Sequence, residues 1–173
     1  MVSLHTLLEG YPDAVRISAS DIPATEITLV VLDDDPTGTQ SVADLPVLTR
    51  WKEDDMVWAL QQDVSAIYVM TNSRSLDPVD ARAINLDVAH AAIAAAKKLD
   101  KKVAFVSRSD STLRGHYPLE PDTLAEVAEA NGQSIDGYII VPAFGDAGRI
   151  TVGGVHYACL LYTSDAADEG LGG

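Results

Sequence analysis

Four short apolar runs, each followed at once by a polar cluster, limit what this chain can fold into. The runs are Ile27–Leu32 (ITLVVL), Ala66–Met70 (AIYVM), Val103–Val106 (VAFV) and Gly137–Val141 (GYIIV). They are rich in β-branched residues and continuous rather than alternating, the pattern of strands buried on both faces of a parallel sheet. A shorter run, Pro46–Thr49, adds a candidate fifth strand. Helical patterns fill the gaps. Asp77-Pro78 supplies an N-cap and a first-turn proline, and the Ala-rich stretch Val79–Leu99 then carries a long helix ending in lysines. A second helix is expected from Pro121 to Ala130, stopped by Asn131-Gly132, and a third over Asp54–Gln62. Strands alternating with helices imply an α/β fold: an open, mostly parallel sheet with flanking helices. Residues 1–26 read as an N-terminal extension and residues 27–158 as the globular domain.

In a parallel sheet the strand C-termini share one edge, and open α/β folds bind their ligands in the crevice there. The clusters after the four runs are Asp33–Gln40, Thr71–Arg74, Ser107–His116 and Pro142–Arg149. The fold therefore brings them to one edge. Charge says what such a site would take. The chain carries 12 Lys+Arg against 26 Asp+Glu, a net charge of -14, which disfavours nucleic acid and anionic membrane surfaces as partners. Yet four of its seven arginines (Arg74, Arg108, Arg114, Arg149) fall in these clusters, and all five lysines lie elsewhere. A guanidinium fork pairs bidentately with carboxylate or phosphate, so one reading is a site for a small anion. The other is that each arginine pairs with a neighbouring aspartate such as Asp35, Asp110 or Asp146.

Three successive aspartates, Asp33-Asp34-Asp35, repel one another, so at least one needs a raised pKa or a cationic partner. One of them is a candidate general base, and another a candidate for orienting the ligand or holding Mg²⁺. The alternative is a solvated loop with a Pro-Thr-Gly turn. His5, His90, His116 and His156 show no metal spacing, and only His116 sits in a cluster. Neither GxxxxGK[ST] nor GxGxxG follows the first strand, so this segment carries no recognisable nucleotide loop. No apolar run approaches the roughly 20 residues that span a bilayer, and the N-terminus lacks signal-peptide features, so a cytoplasmic location is the expectation. The single cysteine, Cys159, excludes an internal disulfide framework.

The segments DDDPTGTQSV, TNSR, SRSDSTLRGHYPLE and PAFGDAGRITVGGVHY together resemble the N-terminal, sugar-acid-binding domain of the four-carbon acid sugar kinase family, over roughly residues 27–157. DSTLRG combined with DD-x-TG is the specific part. The resemblance implies the substrate-binding half of a two-domain, ATP-dependent kinase acting on short sugar acids such as threonate and erythronate. It places ATP and Mg²⁺ mainly on a C-terminal domain. Residues 159–169, CLLYTSDAADE, resemble a translated sequencing adapter, so residues 159–173 are expected to be an artefactual tail on a truncated, kinase-inactive chain.

Carried over by motif, Asp34, Asp35, Thr37 and Gly38 correspond to DD-x-TG, Ser73 and Arg74 to its Ser-Arg pair, Asp110 to Gly115 to DSTLRG, and Gly148-Arg149 to its Gly-Arg. In the resulting picture Arg74 and Arg114 clamp the substrate carboxylate, and Arg149 either assists them or faces the phosphoryl group arriving from the other domain. Asp35 or Asp110 receives the proton of the attacking hydroxyl, with Asp34 in support. Thr37 and Ser111 bond the polyol, and Gly38, Ser73, Gly115 and His116 complete the substrate-binding set. Arg108 stands where lysine is more common in the family. Two rivals are a haloacid-dehalogenase-like phosphatase, with Asp33 as nucleophile and Asp35 as acid/base, and a non-catalytic sugar-acid-binding module.

Overall fold

The computed structural model describes residues 4–13, 15–110, 115–145 and 148–157. In chain order the elements are α1 (Leu4–Leu8), β1 (Ile27–Asp33), β2 (Val47–Leu48), α2 (Glu53–Leu60), β3 (Ala66–Met70), α3 (Pro78–Leu99), β4 (Lys102–Arg108), α4 (Leu119–Ala130), β5 (Ile150–Val152) and β6 (Val155–Tyr157). Two compact units divide the chain: Ala24–Tyr138, and a second drawn from residues 1–23 and 139–173. Among the described residues no helix is long and apolar enough to cross a membrane.

The larger unit is an α/β fold. Its sheet has the order β2-β3-β1-β4, and all three pairings are parallel. The expected helix start is met by chemistry: the Asp77 carboxylate accepts from the backbone N–H groups of Val79 and Asp80, ahead of Pro78 in the first turn. At the other end Asp100 takes a left-handed conformation (φ 52°), closing the helix where its carbonyls need partners. α4 begins two residues earlier than expected and stops before Gly132, whose φ is +85°.

Register decides which side chains share a face. Val30 and Leu32 stand beside Ile67 and Val69, and all four are buried with Leu48, Val103 and residues of α2, α3 and α4 in a single core cluster. The opposite face carries Ile27, Leu29, Val47 and Val106, each between 36% and 41% exposed, together with Val31, which is buried. Burial on both faces, expected from the continuous runs, holds on the helix-covered face and is partial on the other, where Val31 is buried and Tyr68, Met70 and Ala104 are half-buried. A continuous run states that both faces are apolar, not what lies against each of them.

The run Gly137–Val141 also departs from expectation. It forms no ladder among the described residues, and Ile139 is 95% exposed. The chain passes from one unit to the other within this run, and an apolar run becomes a strand only where another strand's free edge receives it. In the smaller unit β5 and β6 make an antiparallel hairpin, closed by Gly153-Gly154 with φ of +59° and +76°. Positive φ at both turn residues gives the twist that two-residue hairpins need, and glycine adopts it without strain.

Candidate functional site

β1, β3 and β4 end level with one another: Asp33 is in register with Met70 on one side and Arg108 on the other. The segments that leave these three ends build the site. After β3, Asn72 adopts φ 52° and turns the chain into a short 3-10 turn at Ser73–Ser75. Asparagine tolerates this left-handed conformation better than most residues, and the turn places Ser73 and Arg74 on different partners.

Arg74 is the hub. Its Nε and Nη2 donate to Asp34 Oδ2 (3.2 Å) and Oδ1 (2.8 Å), a bidentate fork. Its Nη1 donates to Asp35 Oδ2 at 2.5 Å and lies 3.7 Å from Asp110 Oδ2. Burial works against the Arg74 charge, but the hydrogen bonds and charge of Asp34, with the charges of Asp35 and Asp110, outweigh it and raise the pKa. Asp34 also accepts from the Ser109 hydroxyl (3.3 Å) and the Asp110 backbone N–H (3.1 Å), so its oxygens are saturated. Asp35 is the more open, with a side chain 21% exposed. The Thr37 hydroxyl and backbone N–H donate to its Oδ1 at 2.5 and 2.7 Å, and with the charge of Arg74 they hold its pKa below the ordinary value.

Asp33 differs. It is fully buried, its Oδ1 meets Arg108 Nη1 at 3.4 Å, and its Oδ2 has no partner among the described residues. Burial is the main cause that pushes its pKa up. Gly38 packs on that carboxylate so closely that a Cβ there would collide with it. The position therefore admits glycine, and Asp33, the nucleophile of the phosphatase alternative, has no exposed surface.

A second carboxylate lies behind this edge. Glu120, buried near the start of α4, accepts from the Ser73 hydroxyl (2.5 Å), Asn85 Nδ2 (3.2 Å) and the Ser107 hydroxyl (3.3 Å). Ser73 is joined to Thr71 (3.2 Å), which donates to the Asp33 carbonyl (3.0 Å). His116 Nε2 lies 3.1 Å from the Ser73 carbonyl; since a carbonyl only accepts, the proton sits on Nε2. Gly115 lies against Ser109 and Asp110, and a Cβ there would strike both.

The structure thus brings together Asp34, Asp35, Thr37, Gly38, Ser73, Arg74, Asp110, Gly115 and His116 of the expected set. Ser111 and Arg114 lie outside the described residues, as do Asp146 and residues 159–173. Arg149 belongs to the smaller unit, where its backbone bridges that of Phe144. Among the described residues no group of three or more His, Cys, Asp or Glu side chains is arranged to hold a metal ion. The carboxylates of this edge pair with the guanidinium groups of Arg74 and Arg108 and with the hydroxyls of Thr37 and Ser109.

Comparison with known proteins fits this arrangement. A family model described as the sugar-binding N-terminal domain matches residues 29–169. The chain belongs to this family. The sugar-binding domain is similar to a D-erythronate kinase of Heliobacterium modesticaldum, 30% identical over 149 residues that cover 81% of this chain and 32% of that protein. It is also similar to a D-threonate kinase of Cupriavidus necator, 38% identical over 94 residues covering 54% of this chain and 19% of that protein. The chain therefore spans a third or less of the length of these relatives. No solved structure matches it. Reading the sequence of this sugar-binding domain alone missed Glu120 and Asn85. A glutamate in the first turn of a helix reads as a solvated complement to the helix dipole, and only its neighbours from three other segments reveal otherwise.

Proposed function

We propose that this chain is the sugar-acid-binding half of an ATP-dependent kinase that phosphorylates a hydroxyl of a short, four-carbon sugar acid such as erythronate or threonate. The observation that carries the reading is the convergence of Asp34, Asp35, Arg74 and Asp110 at the C-terminal edge of a parallel sheet, in a domain of the sugar-binding family. The names of the two relatives support the substrate class.

In this reading Arg74 holds the carboxylates rigidly, and Asp35 and Asp110 accept hydrogen bonds from substrate hydroxyls, one of them receiving the proton of the attacking group. The lowered pKa of Asp35 keeps it ionised and so an acceptor at neutral pH. Thr37, Ser73, Ser111, Gly115 and His116 shape the cradle, with Arg114 and Arg149 as further anion contacts. ATP and Mg²⁺ are assigned to another part of the protein. Phosphoryl transfer depends on positioning and charge neutralisation, and a rigid cradle for the acceptor supplies the first.

Titration calorimetry of the 173-residue chain with D-erythronate and D-threonate tests the binding half of the proposal, and saturable heats are expected for at least one. Turnover with ATP in the complete protein tests the rest. Asp35→Asn and Asp110→Asn are each expected to lower kcat by at least roughly 100-fold if that residue is the base. Near-normal activity in both removes the base role from these residues. Tight binding without turnover in the complete protein would select a non-catalytic binding module.

A further inference from the structure

We propose that Arg108, at the end of β4, is the residue that pairs with the carboxylate of the bound acid and so sets the preference for acids over neutral polyols. This rests on the sugar-acid reading above and adds to it the orientation of the substrate.

An anion entering a site with four aspartates needs a cation whose charge is not already spent. Arg74 is spent. Its three guanidinium nitrogens all donate to Asp34 or Asp35, Asp110 lies close by, and its side chain is only 14% exposed. Arg108 contrasts with it on each count. Its guanidinium has a single partner among the described residues, Asp33 Oδ1, at a long 3.4 Å through Nη1. Its side chain is 41% exposed, and among the described residues nothing pairs with Nε or Nη2, the two nitrogens that a planar, bidentate acceptor would take. Burial also pushes the pKa of this partner up, against the opposing charge of Arg108.

Position agrees with availability. Arg108 is the last residue of β4 and sits in register with Asp33, on the same sheet edge where β1 and β3 end. It lies within electrostatic reach of Asp35, whose pKa it helps to lower. A short chain with a carboxylate at one end and hydroxyls along its length matches this polarity: the carboxylate to Arg108, the hydroxyls to Asp35 and its neighbours.

The test is titration calorimetry of the 173-residue chain with D-erythronate and its neutral amide, D-erythronamide, in wild type, Arg108→Gln and Arg108→Lys. Expected is a loss of roughly 10- to 100-fold in affinity for the acid in Arg108→Gln, the worth of a charge-assisted hydrogen-bonded pair, with the amide unchanged. Arg108→Lys, which keeps the charge but not the fork, is expected to retain part of the preference. In the wild type the ¹⁵Nε resonance of Arg108 is expected to shift on adding acid and not on adding amide, a reading that does not depend on any variant folding. If wild type binds the acid but the acid-to-amide ratio survives in Arg108→Gln, or the Nε resonance stays still, the assignment is overturned and the sugar-acid reading stands. If wild type binds neither molecule nor any related acid, the sugar-acid reading fails and this inference with it.

Discussion

Asp34 and Glu120 are both buried carboxylates at one end of the same sheet, and consecutive residues of one turn serve them: Arg74 reaches Asp34 and Ser73 reaches Glu120. Their environments differ in kind. Asp34 is held by a guanidinium fork plus two neutral donors, in a cluster where Asp35 and Asp110 share the same cation. Glu120 has no cation bonded to it among the described residues. It relies on two hydroxyls, an amide and its place in the first turn of α4, where the helix end favours negative charge. The difference separates two tasks. In the proposed function the charged cluster positions the groups offered to a ligand, whereas the neutral network joins β3, α3, β4 and α4 and fixes where the turn that carries Arg74 sits.

Removing the cation is the strongest way to break the comparison. Arg74→Ala leaves Asp34 buried among neutral donors and Asp35 and Asp110 without their shared partner. Breaking a buried pair by deleting one member costs about 3–5 kcal/mol, and urea denaturation is expected to show a loss of that size. A loss near 1 kcal/mol or below would mean that the guanidinium is a surface ornament and that the two carboxylates are held alike.

The next test compares the two acids directly. Asp34→Asn puts an amide NH₂ against the Arg74 fork and is expected to destabilise by about 3 kcal/mol, since a charged partner is lost and a donor is set against a donor. Glu120→Gln keeps an oxygen for Ser73 and Asn85, and its new NH₂ can donate to the Ser107 hydroxyl. Its cost is expected to be about 1 kcal/mol or less. Equal costs for the two substitutions would erase the distinction drawn between them.

Much of the fold was legible from local chemistry. Asp77-Pro78 marked a helix start because capping is a short-range interaction, and the runs ITLVVL, AIYVM and VAFV marked strands because β-branched residues cluster there. The same logic failed at GYIIV, where pairing depends on an edge that lies far away in sequence. Strand ends picked out three of the four expected segments that meet on one edge, since a parallel sheet collects them there, while the fourth, Pro142–Arg149, belongs to the smaller unit. Which arginine is occupied was not legible. Arg74 and Arg108 both follow apolar runs at strand ends, and only the left-handed turn at Asn72 shows why the first is drawn into the aspartates while the second stays open. Glu120 left no signal, because its three partners come from separate segments.

The smallest effect concerns Asp33, the one aspartate of the triplet that Arg74 does not hold. Its folded pKa lies above the ordinary value of 3.8, burial being the first cause and the charge of Arg108 opposing it. At pH below 3.8 the residue is protonated in both folded and unfolded chains and is silent. As pH rises past that value the unfolded chain ionises first, so the folded state holds the extra proton and the stability contributed by Asp33 falls until its raised pKa has been passed. Asp35, with a lowered pKa, runs the other way: its contribution is present above 3.8 and lost as pH falls through its folded pKa. The two therefore oppose each other in wild type, and a single melting curve does not separate them. The difference between Asp33→Asn and wild type does, because Asp35 titrates in both. Melting temperatures measured from about pH 3.5 to 7 are expected to show this difference moving in favour of Asp33→Asn as pH rises, then levelling off. A difference that stays flat, or moves in favour of wild type, would mean that Arg108 neutralises Asp33 as fully as Arg74 neutralises Asp34. Arg108 would then not be the available cation.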